Sequence, residues 1–397
     1  MNELQQITNA FQDACTRGEA VALATVVAVS GSAYRRPGAR MLVSDEGRRV
    51  GSVSGGCLER DVVRHASRSI ASGKAVLRLY DSLDEDLAEG FALGCNGAVL
   101  VMIEPVNAVV NHHIQFQADC LQRRSRGAIA TVYSAPGPSA SELGARVSQV
   151  EGGPMCATGL APGPLREALE SAVAGALQQG RGGNWSWTTD VGTVSALLEV
   201  VTPPLRVMVF GAGHDVEPLV EFGQKLGWSM EVVAHNGGFG TRQRFPAADV
   251  VHLGSPADAV AELKPDGDTV VLLMSHNFPL DVAAFQAIVP VRPCYIGLLG
   301  PRHRALRLLD EAAAQGTIVD DALHACIHGP VGLDIGADTP AEVALAIVAE
   351  ITAALRGRSG AAARLRQGPL HLTAPLDQPL RTTHHTAQDV VCGLYNS

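Results

Sequence analysis

Two patterns of hydrophobic and polar residues divide the chain into an N-terminal and a C-terminal part. In the N-terminal part, runs rich in β-branched residues predict buried strands, and apolar residues at helical spacing predict helices. Gly73 is placed to end one of these helices. The predicted strands cover residues 21–30, 40–44, 50–54, 75–80 and 97–104, and the predicted helices cover 2–16 and 58–72. Together they predict a compact α+β unit.

In the C-terminal part, strand-like runs alternate with segments of helix length, starting after the paired prolines at 203–204. This alternation is typical of a parallel sheet with crossover helices, as in Rossmann-like domains. The last helix carries a capping box, with Thr339 as the cap, Pro340 in the first turn and Glu342 as its partner. The predicted strands cover residues 206–210, 229–234, 249–252, 269–274 and 293–297.

The segment between these parts, residues 107–200, has the least regular pattern. A strand is predicted at 128–133, a helix at 165–178 and another strand near 192–201, separated by loops rich in Gly and Pro. We assign this segment to the first domain. The expected fold class is α/β, with an α+β domain over 1–200, a Rossmann-like domain over 205–360 and a loosely structured tail over 361–397.

Composition narrows the choice of partners. The net charge of −9 argues against nucleic acid as the main partner, because binding to phosphates requires a basic face. The eight cysteines are scattered without a CxxC pair, which is typical of reduced thiols rather than of a disulfide framework. No secretory signal or apolar run long enough to span a membrane is visible, so we expect a cytoplasmic protein.

The segment 207–215 runs from an apolar strand into Gly211-Ala212-Gly213 at the start of a helix, which is the turn of a dinucleotide fold. His214 and Asp215 follow directly, and His276 comes after the fourth predicted strand, at the same edge of the sheet. These positions are candidates for ligand binding, although the side chain of Asp215 is better suited to capping the helix. The second strand ends in 235–237 without the carboxylate that binds the ribose of NAD, which counts against that ligand.

A second candidate site lies in the N-terminal part, where Arg35, Arg36 and Arg40 precede a glycine-rich segment that ends in Cys57. Guanidinium groups bind oxyanions in a bidentate way, and the neighbouring Gly55 and Gly56 permit a close approach of the backbone. Cys57 and Cys95, each next to glycine, are candidates for contact with a metal or a sulfur-bearing ligand. A pair of tight turns with solvated arginines explains the same residues without a ligand.

The chain resembles the xanthine dehydrogenase accessory protein family (XdhC/CoxI). The blocks that carry the resemblance are residues 31–40, 51–59, 93–97, 103–105, 209–215, 295–300 and 330–337. The resemblance implies a protein that binds molybdenum cofactor, holds it while a cysteine desulfurase supplies sulfur, and delivers it to a xanthine dehydrogenase-type molybdenum hydroxylase. It also implies a homodimer, and a non-enzymatic chaperone rather than a catalyst. The arginines, the two glycine turns, both cysteines and Cys57 as a contact to the metal are then its candidate binding residues.

Two alternatives remain open from the sequence. One is an NAD(P)-dependent oxidoreductase in which His276 or His214 is the acid or base, with Arg242 and Arg244 as contacts to a 2′-phosphate. The other is a scaffold that docks the hydroxylase to its sulfur donor without binding the cofactor. In the chain as a whole there is no HExxH, Walker loop or GxSxG motif to indicate a different chemistry.

Overall fold

The computed structural model describes residues 3–31, 34–56, 58–81, 97–108, 111–134, 143–189, 192–235, 238 and 241–367. These residues form two compact units that separate between Pro203 and Pro204. Among the described residues, no helix combines the length and the apolar character that a membrane crossing requires.

The N-terminal unit is built from two antiparallel sheets, each of five strands. Its helices are α1 (Glu3–Arg17), α2 (Glu59–Ser72), α3 (His112–Arg123) and α4 (Pro164–Gln179). Its strands are β1 (Val21–Gly31), β2 (Arg40–Ser44), β3 (Arg49–Gly51), β4 (Val76–Asp81), β5 (Gly97–Val106), β6 (Gly127–Ser134), β7 (Arg146–Val150), β8 (Met155–Thr158), β9 (Gly183–Thr189) and β10 (Gly192–Val201). The α+β character expected from the pattern is therefore confirmed.

The two sheets have the same topology. The strand orders are β3-β2-β1-β5-β4 and β8-β7-β6-β10-β9, and a helix lies between the third and fourth strands of each in the sequence. Helix α2 packs Val62 and Ala66 on the first sheet, and α4 packs Leu169 and Val173 on the second. A small apolar cluster containing Met102, from the first sheet, and Tyr133, from the second, joins them.

The C-terminal unit is a parallel sheet of six strands covered on both faces by helices. The strands are β11 (Arg206–Phe210), β12 (Ser229–Ala234), β13 (Val250–Leu253), β14 (Thr269–Leu273), β15 (Tyr295–Leu298) and β16 (Ile327–His328). The helices are α5 (Val216–Lys225), α6 (Pro256–Leu263), α7 (Phe278–Ile288), α8 (Arg302–Ala314), α9 (Asp321–His324) and α10 (Pro340–Leu355). The order β13-β12-β11-β14-β15-β16 is the Rossmann order, so the predicted fold of this part is confirmed.

The local predictions in the C-terminal unit agree closely with the structure. The side chain of Thr339 accepts a hydrogen bond from the backbone of Glu342, and the carboxylate of Glu342 accepts one from the backbone of Thr339, which completes the expected capping box. The pattern missed β16, because two residues carry no periodicity. It also missed α3, β7, β8 and β9 in the N-terminal unit. Most of the predicted C-terminal tail lies outside the described residues.

Candidate functional site

The glycine-rich turn after β11 crosses the edge of the sheet at a place where only glycine fits. Gly211 has φ +144°, and a Cβ atom there would lie 2.2 Å from the carbonyl oxygen of Met274. Its N–H donates to the carbonyl of Val233 at 2.9 Å, which fixes the turn against β12. The backbone is thus packed between two neighbouring strands before it enters α5, and any side chain would push them apart.

A cavity of about 310 Å³ opens beside this turn, at the carboxyl ends of β11, β12 and β14. Ligands of Rossmann folds bind in this place, where connections leave the sheet toward opposite faces. The cavity is lined by Phe210, Gly211, Ala212, Gly213, Val233, Ala234, His235, Gly254, Pro256, Ser275, Asn277 and Leu280. Gly211 and Gly213, both expected as binding residues, lie in its wall.

Asp215 and His276 form a pair next to this wall. Asp215 occupies the position before α5, but its side chain makes no capping bond, so the predicted capping role is wrong. Its Oδ2 instead accepts a hydrogen bond from Nε2 of His276 at 3.0 Å. The other oxygen, Oδ1, is buried without a partner among the described residues, and it lies 2.5 Å from the place where a Cβ of residue 213 would be.

His276 itself has φ +55°, a conformation that few residues other than glycine adopt. Such backbone strain persists where the surroundings impose it, and it is common at functional sites. His214 differs, because its side chain is 81 % exposed and its ring nitrogen Nδ1 lies 3.5 Å from Glu217. The structure therefore joins Asp215 and His276, which are distant in the sequence, and leaves His214 at the surface.

Ser275 is held in the cavity wall by a buried carboxylate that the sequence did not single out as a site residue. Its hydroxyl donates to Oδ1 of Asp281 at 2.5 Å, and Arg304 donates to Oδ2 of Asp281 at 2.6 Å. Asp281 is only 3 % exposed, so the ion pair and the hydroxyl together satisfy its charge. These bonds fix the loop that carries His276.

The end of β12 presents His235 to the cavity, and no carboxylate from the described residues lines it. Arg244 donates to the carboxylate of Glu217 and to the carbonyl of Ala212, and Arg242 donates to the carbonyl of Ala248. Both arginines that the sequence offered to a 2′-phosphate are thus engaged within the protein.

Residues 35–40 of the N-terminal unit, which we call the arginine loop, contain the three arginines predicted to bind an oxyanion. Arg40 is 3 % exposed and donates to Oε2 of Glu199 at 2.5 Å and to the carbonyl of Gly38 at 2.8 Å. Arg35 is half-buried and paired with Glu3, whereas Arg36 is exposed and its guanidinium has no partner among the described residues. Arg40 is therefore an internal ion-pair partner, and Arg36 is the most available of the three.

The turn at Gly55 and Gly56 is organised by the buried carboxylate of Glu59. Its oxygens accept hydrogen bonds from the hydroxyls of Ser52 and Ser54 and from the backbone N–H of Ser54. Burial raises the pKa of Glu59, but these hydrogen bonds outweigh burial and hold the pKa below its ordinary value. Cys57 and Cys95 lie outside the described residues. Within the described part of the chain, no cluster of His, Cys, Asp or Glu is arranged to hold a metal ion.

Comparison with known proteins identifies the family. Residues 14–81 match the family model described as "XdhC and CoxI family", and residues 207–351 match the model described as "XdhC Rossmann domain". The chain belongs to the XdhC and CoxI family. The resemblance inferred from the sequence blocks is thereby confirmed.

Within the XdhC and CoxI family, the chain is 31 % identical to a protein of Bacillus subtilis named as a probable xanthine dehydrogenase subunit, over 84 % of this chain and 92 % of that protein. It is 22 % identical to "Molybdenum cofactor insertion chaperone PaoD" of Escherichia coli over 85 % of both chains. A crystal structure described as a xanthine dehydrogenase from Bacillus halodurans superposes with a TM-score of 0.71 at 26 % identity, covering 90 % of this chain and 97 % of the other.

Proposed function

We propose that this protein is an accessory protein that binds molybdenum cofactor, holds it during sulfuration and delivers it to a xanthine dehydrogenase-type molybdenum hydroxylase. Membership of the XdhC and CoxI family supports this role, as does similarity along most of the chain to a protein named as a molybdenum cofactor insertion chaperone. In this proposal a cysteine desulfurase is the sulfur donor, and the protein acts as a homodimer in the cytoplasm.

The observation that carries the proposal is the cavity at the glycine turn of the C-terminal unit. Molybdopterin carries a phosphate and a pterin ring with several N–H donors. Gly211 keeps the turn free of a side chain, while the backbone N–H of Gly213 and the N-terminus of α5 provide a donor and a positive helix end for the phosphate. The unpartnered Oδ1 of Asp215 provides an acceptor for a pterin N–H group.

We assign the cofactor to this cavity rather than to the arginine loop. Arg40 is committed to Glu199, and Arg35 is paired with Glu3, so neither guanidinium is free to hold a phosphate in the bidentate manner expected from the sequence. His276 fixes one oxygen of Asp215 and leaves the other to the ligand. Cys57 and Cys95 remain candidates for contact with the metal while sulfur is added, with Cys57 preferred.

A nicotinamide-dependent oxidoreductase is the second candidate, because the strand order is that of dinucleotide-binding domains and the histidine–carboxylate pair is suited to proton transfer. Two observations weigh against it. No carboxylate of the described residues lines the cavity at the end of β12, and Arg242 and Arg244 are engaged within the protein.

The test is anaerobic gel filtration of the full chain with purified molybdenum cofactor, with molybdenum measured in the protein fractions. We expect near-stoichiometric molybdenum with the natural sequence, and at least a tenfold loss of affinity with Asp215→Ala. Asp310→Ala, which removes an exposed carboxylate of the same unit, is the matched control and retains the metal. Absence of molybdenum from the natural protein overturns the proposal. Tight binding of NAD(P) with oxidation of a substrate would replace it with the second candidate.

A further inference from the structure

The N-terminal unit is a duplication of one structural module. Each half runs helix, three strands, helix and two strands, and each half forms one five-stranded sheet. A short sequence repeat accompanies the topology. Residues 22–26 read Ala-Leu-Ala-Thr-Val and residues 128–132 read Ala-Ile-Ala-Thr-Val, and Gly-Ala-Arg occurs at 38–40 and at 144–146.

The repeated residues occupy the same positions in the hydrogen-bond ladders. Thr25 pairs with Arg40 between β1 and β2, and Thr131 pairs with Arg146 between β6 and β7. The N–H of Gly38 donates to the carbonyl of Val26 at 2.8 Å, and the N–H of Gly144 donates to the carbonyl of Val132 at 2.8 Å. The register therefore confirms that the sequence repeat is a structural repeat.

Each half also inserts its arginine into the other half. Arg40 of the first half pairs with Glu199 of the second, and Arg146 of the second half pairs with Glu104 of the first. Leu23 lies opposite Glu104 and Ile129 lies opposite Glu199, so both carboxylates stand at equivalent positions of their sheets. These two reciprocal ion pairs make the unit closely symmetric at its centre.

The symmetry is broken in the first helix of each half. Counted from the repeat, Ile7 and Phe11 of α1 correspond to His113 and Gln117 of α3, and all four side chains are buried. Ile7 and Phe11 belong to an apolar cluster. The polar pair of α3 thus stands beside the ion pair of Arg40, at helix positions that are apolar in α1.

This polar pair leaves one buried acceptor unused. His113 Nε2 accepts hydrogen bonds from the guanidinium of Arg40 and, at 2.8 Å, from the amide Nε2 of Gln117. The amide must therefore turn its nitrogen toward His113, which directs Oε1 away. Gln117 is 1 % exposed, and its Oε1 has no partner among the described residues. An unpaired buried acceptor costs about 1–3 kcal/mol.

Gln117 also lines a cavity of about 480 Å³ formed by the arginine loop. The wall includes Arg35 and Arg36, and also the apolar side chains of Leu4, Val200 and Val201. Arg35 and Arg40 are balanced by Glu3 and Glu199, while Arg36 has no carboxylate partner among the described residues. The wall therefore carries a surplus of one positive charge and an apolar side, and it includes Gln117, whose buried Oε1 has no partner among the described residues.

We propose that this cavity is a second binding site, separate from the crevice of the C-terminal unit. Its ligand is a small molecule with one oxyanion group for Arg36, an N–H or O–H group for Oε1 of Gln117 and an apolar portion for the valines. The shared chemistry is an oxyanion, which a phosphate monoester and a carboxylate both supply. Both copies of the duplicated module line the site, and the second copy supplies the polar Gln117 at the position where the first copy has the apolar Phe11.

The test compares 4-hydroxyphenyl phosphate and 4-hydroxybenzoate as probes of the full chain by isothermal titration calorimetry. Arg36→Ala and Gln117→Phe, the second of which introduces the residue of the other copy, are each expected to weaken the better probe at least tenfold. Arg49→Ala is the matched control, because it removes an exposed arginine of the same unit outside the cavity. Asp215→Ala in the crevice leaves this binding unchanged.

The stronger of the two probes identifies the oxyanion that the site takes. Because Arg36 is exposed, Arg36→Ala is expected to fold, and thermal unfolding monitored by circular dichroism checks both variants. The proposal is overturned if neither probe binds, or if Arg36→Ala changes the affinity no more than Arg49→Ala does. Equal binding by folded Gln117→Phe also overturns it.

Discussion

The buried His113 makes a sharp prediction about stability and pH. Burial is the main cause that lowers the pKa of His113 well below its ordinary value, and the neighbouring Arg40 and Arg146 lower it further. The nearest carboxylate is Glu199, whose Oε2 lies 3.7 Å from Nε2 of His113 and is already paired with Arg40. The folded protein therefore holds His113 neutral at pH values where the unfolded chain would protonate it.

The sign and size of the effect follow from proton linkage. A histidine in an unfolded chain takes up a proton below a pH of about 6.5. The folded state does not take up this proton, so the free energy of unfolding falls as the pH falls, by about 1.4 kcal/mol per pH unit below that value. Between pH 7.5 and pH 5.0 the loss of unfolding free energy from this one residue is at most about 2 kcal/mol.

The assay is urea unfolding in a Trp228→Phe background, so that Trp185 and Trp187 of β9 report on the N-terminal unit. In His113→Ile, which introduces the residue of the other repeat, we expect the loss of unfolding free energy between pH 7.5 and pH 5.0 to be smaller, by up to about 2 kcal/mol. His112→Ile is the matched control, because His112 is the adjacent residue and is exposed. An unchanged pH dependence in His113→Ile would refute the reasoning.

Two further predictions concern the C-terminal unit. Burial raises the pKa of Glu350, but hydrogen bonds from His328, Tyr295 and the N–H of Gly332 outweigh burial and bring the pKa to about 2. This carboxylate stabilises the fold above a pH of about 4.5 and loses that effect toward pH 2, so Glu350→Gln should lower the free energy of unfolding by about 3 kcal/mol at pH 7 and less at pH 3, measured by calorimetry. Gly211→Ala should destabilise the unit by more than about 3 kcal/mol, because its Cβ meets a backbone oxygen. Gly213→Ala meets only the side chain of Asp215 at less than 3 Å, so it should weaken binding of the cofactor with a much smaller loss of stability, and equal loss in the two variants would contradict this account.

The elements that were predicted correctly from the sequence are those that bury a single apolar face. Strand β1, the hairpin β2–β3 and the alternating elements of the Rossmann domain were all predicted, because β-branched runs and helix caps are local signals. Helix α3 was not predicted from the sequence, and the reason is physical. This helix buries His113 and Gln117 beside its apolar residues, so its polar positions do not follow the exposed face of a helix.

The candidate site shows the same limit at the level of single side chains. Gly211 was identified, because a glycine turn after a strand is a local pattern with a structural cause. Asp215 and His276 were both singled out, yet nothing in the sequence indicated that they bind each other rather than cap helices. Asp281 was recognised only as a residue of a helix, since its role depends on Ser275 and Arg304 meeting it in space.

The duplication offers a physical route from a structural module to a binding module. In the first copy, which contains Arg40, apolar Ile7 and Phe11 occupy the positions that polar residues take in the second copy, and this arrangement leaves no buried amide to satisfy at those two positions. The second copy, which contains Arg146, loses stability through His113 and through the unused oxygen of Gln117. A ligand that forms a hydrogen bond with such an acceptor offsets this loss of free energy when it binds. His113 and Gln117 therefore connect the unfolding experiment with the measurement of probe binding. If Gln117→Phe stabilises the free protein while it abolishes binding of the probe, the polar pair exists for the ligand and not for the fold.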